Sequence, residues 1–428
     1  MGPAFSLSTT LGVMVAAAGN ATPLALLATT ALMILIALVF SRLASRYPDA
    51  GSSYAWARRA FGEAAGAYTA WILIVANFFA VLATSVPAGV YTLTLIAPQR
   101  ADSVAWCATV GGVWIVGCAL ILYTGVRPTA LVAAVLLVAE LAVLAASAIA
   151  TRFAPASFGA TASPGATHGF SLSGFVVAMV LAIWMIDGWE VSASTSEETR
   201  GAPVTAGRGG VAGLLVTAAF LLACTLAYLS FVGPAALGAH ETDVLAFVGE
   251  RLGGWWKTIL VATVLISLAA SLQTTLLYLV RSLYAMGRDG IVPDALGKLG
   301  ARTRDPDVAL VVVTLAVLAA QVAVGFVPAA SAALEIVIGG SAFFLGVLFL
   351  TSCAAALRLL DKEAPFLAAP ATLALFVILA AALVSASSAT RWWILVAVIL
   401  GVPLAFLRAA RSRRGTQVPT PAARNIGG

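Results

Sequence analysis

The stretch Phe170–Gly201 reads FSLSGFVVAMVLAIWMIDGWEVSASTSEETRG. It contains an apolar run long enough to cross a membrane, yet Asp187, Gly188 and Glu190 interrupt that run. A charged residue at the centre of a bilayer costs roughly 2.5–3.5 kcal/mol, and glycine weakens a helix by about 1 kcal/mol relative to alanine. We therefore predict a discontinuous membrane helix whose freed backbone groups line a polar cavity. The alternative is an ordinary kink whose acids are hydrogen-bonded to neighbouring helices.

The composition of the whole chain is that of a membrane protein. Of its 428 residues, 61% are hydrophobic and only 10% are charged, whereas about a quarter of the residues in a soluble domain are charged. The net charge of +6 does not indicate nucleic-acid binding. The basic residues lie at the ends of apolar runs and form no stripe with interleaved aromatic residues.

The apolar runs predict an all-α protein with about twelve membrane-spanning helices, because runs of roughly 20 residues match a bilayer core about 30 Å thick. The predicted spans cover residues 4–18, 22–41, 66–96, 103–123, 129–150, 171–196, 209–232, 256–285, 308–328, 332–357, 366–387 and 392–408. Of the 24 Lys and Arg residues, all except Arg100, Arg152, Arg251, Lys257 and Arg391 would lie on one side. By the positive-inside rule that side is the cytoplasm. We therefore predict a multi-pass protein of the cytoplasmic membrane with both termini in the cytoplasm.

A second interruption lies five spans before the first. The chain opens with Gly2-Pro3-Ala4-Phe5-Ser6, a Gly-Pro break that leads into a short apolar helix. Paired interrupted helices at corresponding places in two halves indicate an inverted-repeat transporter whose binding site lies at the breaks. The first repeat is predicted over residues 1–150, with an incomplete first span, and the second over 151–360. Two further spans over 361–410 and a disordered cytoplasmic tail over 411–428 follow.

Three segments resemble a known family. The first, RYPDAGSSYAWARRAFG at Arg46–Gly62, resembles the loop between spans two and three of amino acid permeases of the amino acid–polyamine–organocation superfamily. The second, RSLYAMGRDGIVP at Arg281–Pro293, resembles the family's signature at the end of span eight. The third, Asp187–Glu190 followed by Glu197 and Glu198, resembles its broken sixth span. The resemblance implies a LeuT-like 5+5 inverted repeat with discontinuous helices 1 and 6, alternating access, and import or exchange of amino acids or related amines.

The sequence departs from the family's pattern in two places. The family usually has a half-helix before the unwound turn of the first span, whereas this sequence begins at that turn. We expect a native start upstream of Met1, with a truncated protein as the alternative. After Glu198 the family tends to continue with Asn-Pro, whereas this chain continues with Thr-Arg-Gly-Ala-Pro203, a difference in a cytoplasmic loop.

We expect the substrate to bind where the interrupted helices meet. A half-helix that begins in mid-membrane presents unpaired N–H groups to an anion, and one that ends there presents carbonyl groups to an amine. Amides of the first segment would face a substrate carboxylate, and span six would add backbone groups and an aromatic wall. Spans three and eight would supply polar lining, for which helix–helix hydrogen bonding is an equal alternative. The predicted substrate-binding residues are Gly2, Pro3, Ala4, Phe5, Ser6, Asn77, Thr84, Trp184, Asp187, Gly188, Trp189, Glu190, Ser271 and Gln273.

Glu140 is a further acid inside an apolar run, in span five. The resemblance implies that some proton-driven members carry their coupling group near this position, often as a lysine, and span five contains no lysine. Burial disfavours the charged form of a carboxyl group, which makes Glu140 a candidate for proton loading. A structural hydrogen bond to the scaffold is the alternative.

Together these features favour a secondary active transporter of amino acids, either proton-coupled or an exchanger. A polyamine or cationic amine carrier is the alternative within transport, and a transport-inactive nutrient sensor on the same fold is the alternative outside it. The expected partners are a small-molecule substrate and membrane lipid, with homo-oligomerisation left open. We predict no enzyme, catalytic residue, cofactor or metal site, because the spans contain no paired His and carboxylate cluster, nucleotide-binding loop or Ser-His-Asp set.

Overall fold

The computed structural model describes residues 2–154, 170–194, 196, 203–240, 243–300, 303, 305–326, 330–385 and 388–415. Glu197 and Glu198, named above as part of a motif, lie outside these residues. The α-helices of the described residues, numbered α1 to α16 in chain order, are Pro3–Ala18, Thr22–Arg46, Ser53–Phe61, Glu63–Ile96, Val104–Tyr123, Val126–Phe153, Leu172–Met185, Val191–Ser194, Pro203–Val232, Pro234–Gly238, Val244–Leu252, Trp256–Arg288, Asp307–Val324, Ala330–Leu359, Ala369–Ser385 and Ser388–Gly415.

Within the described residues, nine helical stretches are long and apolar enough to cross a membrane. One of them, Pro3–Arg46, contains both α1 and α2, and two shorter apolar helices, Leu172–Met185 and Arg391–Leu407, lie beside these nine. Large apolar side chains such as Val113 and Phe326 are exposed on the outside of the bundle, as expected of a surface that faces lipid. The prediction of an all-helical, multi-pass membrane protein is confirmed. The exact number of spans, the repeats and the orientation stay predictions.

Helix bounds follow the apolar runs to within a few residues, and the differences have physical causes. Pro87 lies inside α4 and does not end it, because neighbouring helices can satisfy the backbone groups that a proline frees. Hydropathy does not predict the short helices α3 and α11, since each is polar on one side and buries apolar side chains on the other. Helix α16 continues to Gly415, so the tail predicted from residue 411 begins as helix, and its remainder lies outside the described residues.

The centre of the bundle is built around two long helices, α4 and α12, which pack against each other. Helix α1 packs against α7 and α12, and α14 packs against α4 and α7. Buried residues of all five helices belong to one continuous apolar core. The start of α1 and the end of α7 therefore meet deep inside the bundle, and that meeting point contains the candidate site.

Candidate functional site

The sixth predicted span is broken at the acids that interrupt its sequence. Helix α7 ends at Met185, and α8 begins only at Val191. The amide of Ile186 still donates to the Ala182 carbonyl at 3.1 Å, but Gly188 has a φ of +93°. This left-handed conformation favours glycine, because a Cβ would clash with the backbone. The predicted discontinuous helix is therefore present, and Gly188 allows the turn.

The two acids of the break differ in their contacts. Glu190 is only 3% exposed, and its Oε2 accepts a hydrogen bond from the backbone amide of Gly188 at 2.8 Å. It therefore satisfies a backbone donor that the broken helix leaves free. Asp187 is half-buried and lines a cavity, and its carboxylate has no hydrogen bond or ion pair to the described part of the chain.

The start of α1 is held by a third acid. Glu140, on α6, is 1% exposed, and its Oε1 accepts hydrogen bonds from the backbone amide of Ala4 and from the Ser267 hydroxyl, the latter at 2.7 Å. The amide of Phe5 donates to the same Ser267 oxygen at 3.0 Å. A helix N-terminus attracts negative charge, and here the chain's own carboxylate supplies it.

These contacts correct one of our expectations. The amides of Ala4 and Phe5 do not face an open binding site, because Glu140 and Ser267 already accept their hydrogen bonds. Glu140, which the sequence placed only within span five, lies against the start of the first interrupted helix. The sequence could not show that the Ala4 amide is the hydrogen-bond donor to Glu140, since the two residues are 136 positions apart.

A small cavity lies where α1, α4, α7, α12 and α14 meet. Its volume is about 40 Å³, which is room for a few water molecules and too little for an amino acid. The lining residues are Gly2, Phe5, Ser6, Asn77, Ala80, Thr84, Trp184, Asp187, Gly188, Glu190, Val191, Ser271, Thr274, Thr275, Tyr278 and Leu345. None of these described residues is Lys, Arg or His. The described side chains of the lining therefore include acids and no basic group.

Most of the residues predicted from sequence lie on this cavity, and four do not. Pro3 and Ala4 are buried in the first turn of α1, beside the lining. Trp189 instead packs into an aromatic cluster, with its ring stacked 5.5 Å from Phe349. Gln273 is 2% exposed and points away, because it is about 200° around the helix from Ser271. Whether the lining residues contact substrate stays a prediction.

Helix α12 contributes lining residues that we did not predict. Thr274, Thr275 and Tyr278 follow Ser271 at three, four and seven positions, which is the spacing of one helical face. Ser271 together with helical periodicity would have identified them. The polarity of Gln273 was the misleading signal.

Two buried polar groups of the lining have no hydrogen-bond partner among the described residues. The indole Nε1 of Trp184, which is 4% exposed, and the hydroxyl of Ser271, which is 8% exposed, both lack one. Buried donors without partners are uncommon in folded proteins. A water molecule or a polar group of a bound molecule in the cavity would satisfy them. No group of three or more His, Cys, Asp or Glu residues in the described ranges could hold a metal ion.

The other two motif segments contact each other at one end of the bundle. Arg58 forms an ion pair with Asp289 at 2.7 Å, and the Tyr54 hydroxyl donates to the same carboxylate at 3.2 Å. Burial, with smaller contributions from Asp289 and Asp49, raises the pKa of Tyr54, so its hydroxyl keeps the proton that it donates. The network ties α3 to the end of α12, the helix that carries much of the cavity lining.

Replacing Gly188 with alanine should destabilise the break. Forcing a residue with a Cβ into this conformation costs about 1–2 kcal/mol and redirects the Asp187 and Glu190 side chains. We expect Gly188→Ala to lower the melting temperature of the purified protein. Gly117→Ala is the matched control, because Gly117 is inside α5 and an added Cβ would meet nothing within 4 Å. Equal melting temperatures for wild type and Gly188→Ala would show that the break does not need glycine.

A family of known proteins matches nearly the whole chain. The family model described as amino acid permease matches residues 2–407. The chain is similar to the branched-chain amino acid permease BcaP of Lactococcus lactis subsp. cremoris, with 27% identity over 282 residues. That match covers 62% of this chain and 61% of the relative, so it spans less than two thirds of the relative's length. The chain is also similar to the uncharacterized amino acid permease YecA of Bacillus subtilis, with 26% identity over 340 residues. That match covers 76% of this chain and 73% of YecA.

Proposed function

Because this chain belongs to the amino acid permease family, we propose that it is a secondary active transporter that moves amino acids across the cell membrane by alternating access. The relatives reported above are named permeases, and the proposal gives the chain no enzymatic reaction. Residues 1–150 and 151–360 are the proposed inverted repeats, each contributing one interrupted helix to the binding site.

One observation carries this proposal: the cavity at which α1 begins and the sixth span breaks. Asp187 and Glu190 lie there, among helices that are otherwise apolar. Acids in such surroundings are costly, and they mark substrate or ion pathways more often than they serve packing. The cavity of about 40 Å³ is smaller than an amino acid, so binding and release require the surrounding helices to move. Alternating access is a motion of that kind.

We further propose that Glu140 couples transport to protons. Its carboxylate bridges the Ala4 amide on α1 and the Ser267 hydroxyl on α12. Protonation would remove the negative charge that favours the N-terminus of α1 and would weaken the attachment of α1 to α6 and α12. A proton taken up by Glu140 would therefore make it easier for α1, which lines the cavity, to move relative to α6 and α12.

Uptake into proteoliposomes tests the proposed function. Leucine, isoleucine and valine come first, because one relative is named a branched-chain amino acid permease, and a panel of the other amino acids follows. We expect at least one labelled amino acid to accumulate faster than in protein-free liposomes, and faster still with an inward proton gradient. No uptake or exchange of any amino acid by correctly folded protein would contradict the proposal.

A further inference from the structure

We propose that Ser52 is a positioning residue for transport, because its hydroxyl holds the Tyr278 side chain in the wall of the cavity. Helix α3, which begins at the next residue, is then a latch that keeps the cavity closed towards its own end of the bundle. This inference rests on the proposed function, since it concerns access to the same cavity. It identifies the contact that must break when the cavity opens towards the face of the membrane at which α3 lies.

The backbone of Ser52 is strained. Its φ of 42° and ψ of −112° lie in the left-handed half of conformational space, which disfavours a residue with a Cβ. The side chain is completely buried. A strained residue persists only where the surrounding structure holds it in place, and such residues cluster at functional sites and switch regions. The contacts of Ser52 therefore show what holds it.

The hydroxyl of Ser52 is hydrogen-bonded to the cavity wall. Its Oγ lies 3.3 Å from the hydroxyl oxygen of Tyr278. Tyr278 lines the cavity together with three polar residues of α12, and of these four it is the nearest to the end of that helix at Arg288. Because the hydroxyl is at the tip of a rigid ring, a hydrogen bond there fixes the orientation of the whole side chain. Ser52 itself is not among the lining residues, so it acts on the cavity through Tyr278.

Helix α3 is also tied to the end of α12 by charged groups. The ion pair between Arg58 and Asp289 at 2.7 Å is partly shielded from water, since the two side chains are 27% and 13% exposed. Arg288 pairs in addition with Asp49, in the segment before α3, at 3.5 Å. Partly exposed ion pairs contribute little net stability, because water replaces them readily. These contacts to α12 can therefore break and form again during transport.

A row of aromatic rings connects α3 to the break in the sixth span. The Trp56 ring of α3 packs edge-on against Phe40 at 5.2 Å, and Phe40 packs in the same way against Trp189 at 5.2 Å. Trp189 directly follows Gly188, where the helix is broken. Such edge-to-face pairs add to the energy of apolar burial. A displacement of α3 therefore reaches two walls of the cavity, α12 through Tyr278 and the broken helix through Trp189.

Access to a cysteine inside the cavity tests the proposal. Thr275→Cys places a thiol in the lining, and the rate of its labelling by a membrane-impermeant maleimide is measured on the full chain in proteoliposomes. The reagent is applied from the face at which Arg59→Cys is labelled, because Arg59 is exposed on α3. We expect Ser52→Ala to raise the labelling rate of Thr275→Cys at least about threefold, since loss of one hydrogen bond shifts an equilibrium by about this factor.

Two controls separate the proposed contact from a general loosening of the protein. The chain without Thr275→Cys gives the background, because all four native cysteines are buried. Ser352→Ala removes a hydroxyl that is just as buried as that of Ser52 but bonds to the Leu348 carbonyl of its own helix. It should leave the labelling rate of Thr275→Cys unchanged.

A second variant tests the other side of the same hydrogen bond. Tyr278→Phe keeps the ring and removes its hydroxyl, so it should raise the labelling rate as Ser52→Ala does. If the two hydroxyls act on each other, the double variant Ser52→Ala/Tyr278→Phe should be labelled no faster than the faster single variant. Single-variant effects that multiply in the double variant would show that the hydroxyls act independently and would overturn the inference. So would unchanged labelling in folded Ser52→Ala or, should that variant not fold, in folded Tyr278→Phe.

Labelling needs no substrate, so this test is separate from that of the proposed function. Amino acid uptake combined with labelling that neither single variant changes would overturn the inference and leave the proposed function intact. Faster labelling of both variants in a protein that takes up no amino acid would support the control of cavity access by Ser52 and contradict the proposed function.

Discussion

Glu140→Gln should abolish amino acid accumulation driven by a proton gradient while leaving equilibrium exchange and substrate binding nearly intact. The amide keeps the shape of the side chain, and its oxygen can still accept hydrogen bonds from the Ala4 amide and the Ser267 hydroxyl. It cannot take up and release a proton. A coupling step that depends on this proton is therefore lost, whereas steps that need only the geometry remain.

The measurement compares binding, exchange and gradient-driven uptake on one purified variant. Glu250→Gln is the matched control, because the Glu250 side chain is 65% exposed and pairs with Lys257 on the surface. Gradient-driven uptake at the wild-type rate in Glu140→Gln would remove Glu140 from the coupling mechanism. The substitution would then cost only a changed hydrogen bond, roughly 0.5–1.5 kcal/mol of stability.

The broken sixth helix illustrates what sequence alone could predict. A glycine with one acid directly before it and another two positions after it, inside an apolar run, has few explanations, because charge and a weak helix former together make a continuous membrane helix costly. The structure places the break at these residues, with Gly188 in the left-handed conformation. The apolar runs similarly fixed the main helices, since the thickness of a bilayer constrains their length.

Contacts between distant segments could not be predicted in the same way. The sequence identified Glu140 as a buried acid in need of a partner, but the packing of α1 against α6 and α12 decides which backbone amide it meets. The choice between Ser271 and Gln273 as lining residues has a similar cause. Both are polar, and only the orientation of α12 determines which one faces the cavity.

Short amphipathic helices were missed for a related reason. Helix α3 has no long apolar run, yet it buries Tyr54 and Trp56 completely or almost completely. Its position is fixed by contacts at a distance, including the ion pair between Arg58 and Asp289. A hydropathy profile averages over the polar and apolar residues of α3, and the average is that of a polar loop.

A tryptophan at position 275 should block the cavity. Thr275 lines it from α12, and the cavity has a volume of about 40 Å³, so an indole there would occupy the space that a substrate must enter. We expect Thr275→Trp to bind substrate at least about a hundredfold more weakly than the wild type and to show no uptake. Leu277→Trp is the matched control, because Leu277 lies on the same helix, is also partly buried and does not line this cavity.

Equilibrium binding of a transported amino acid to the two purified tryptophan variants tests whether this cavity is the substrate site. Both must give a single folded species with a melting temperature close to that of the wild type. We expect binding to be lost in Thr275→Trp and retained in Leu277→Trp. Wild-type affinity in folded Thr275→Trp would show that the substrate binds somewhere other than the cavity between α1, α4, α7 and α12.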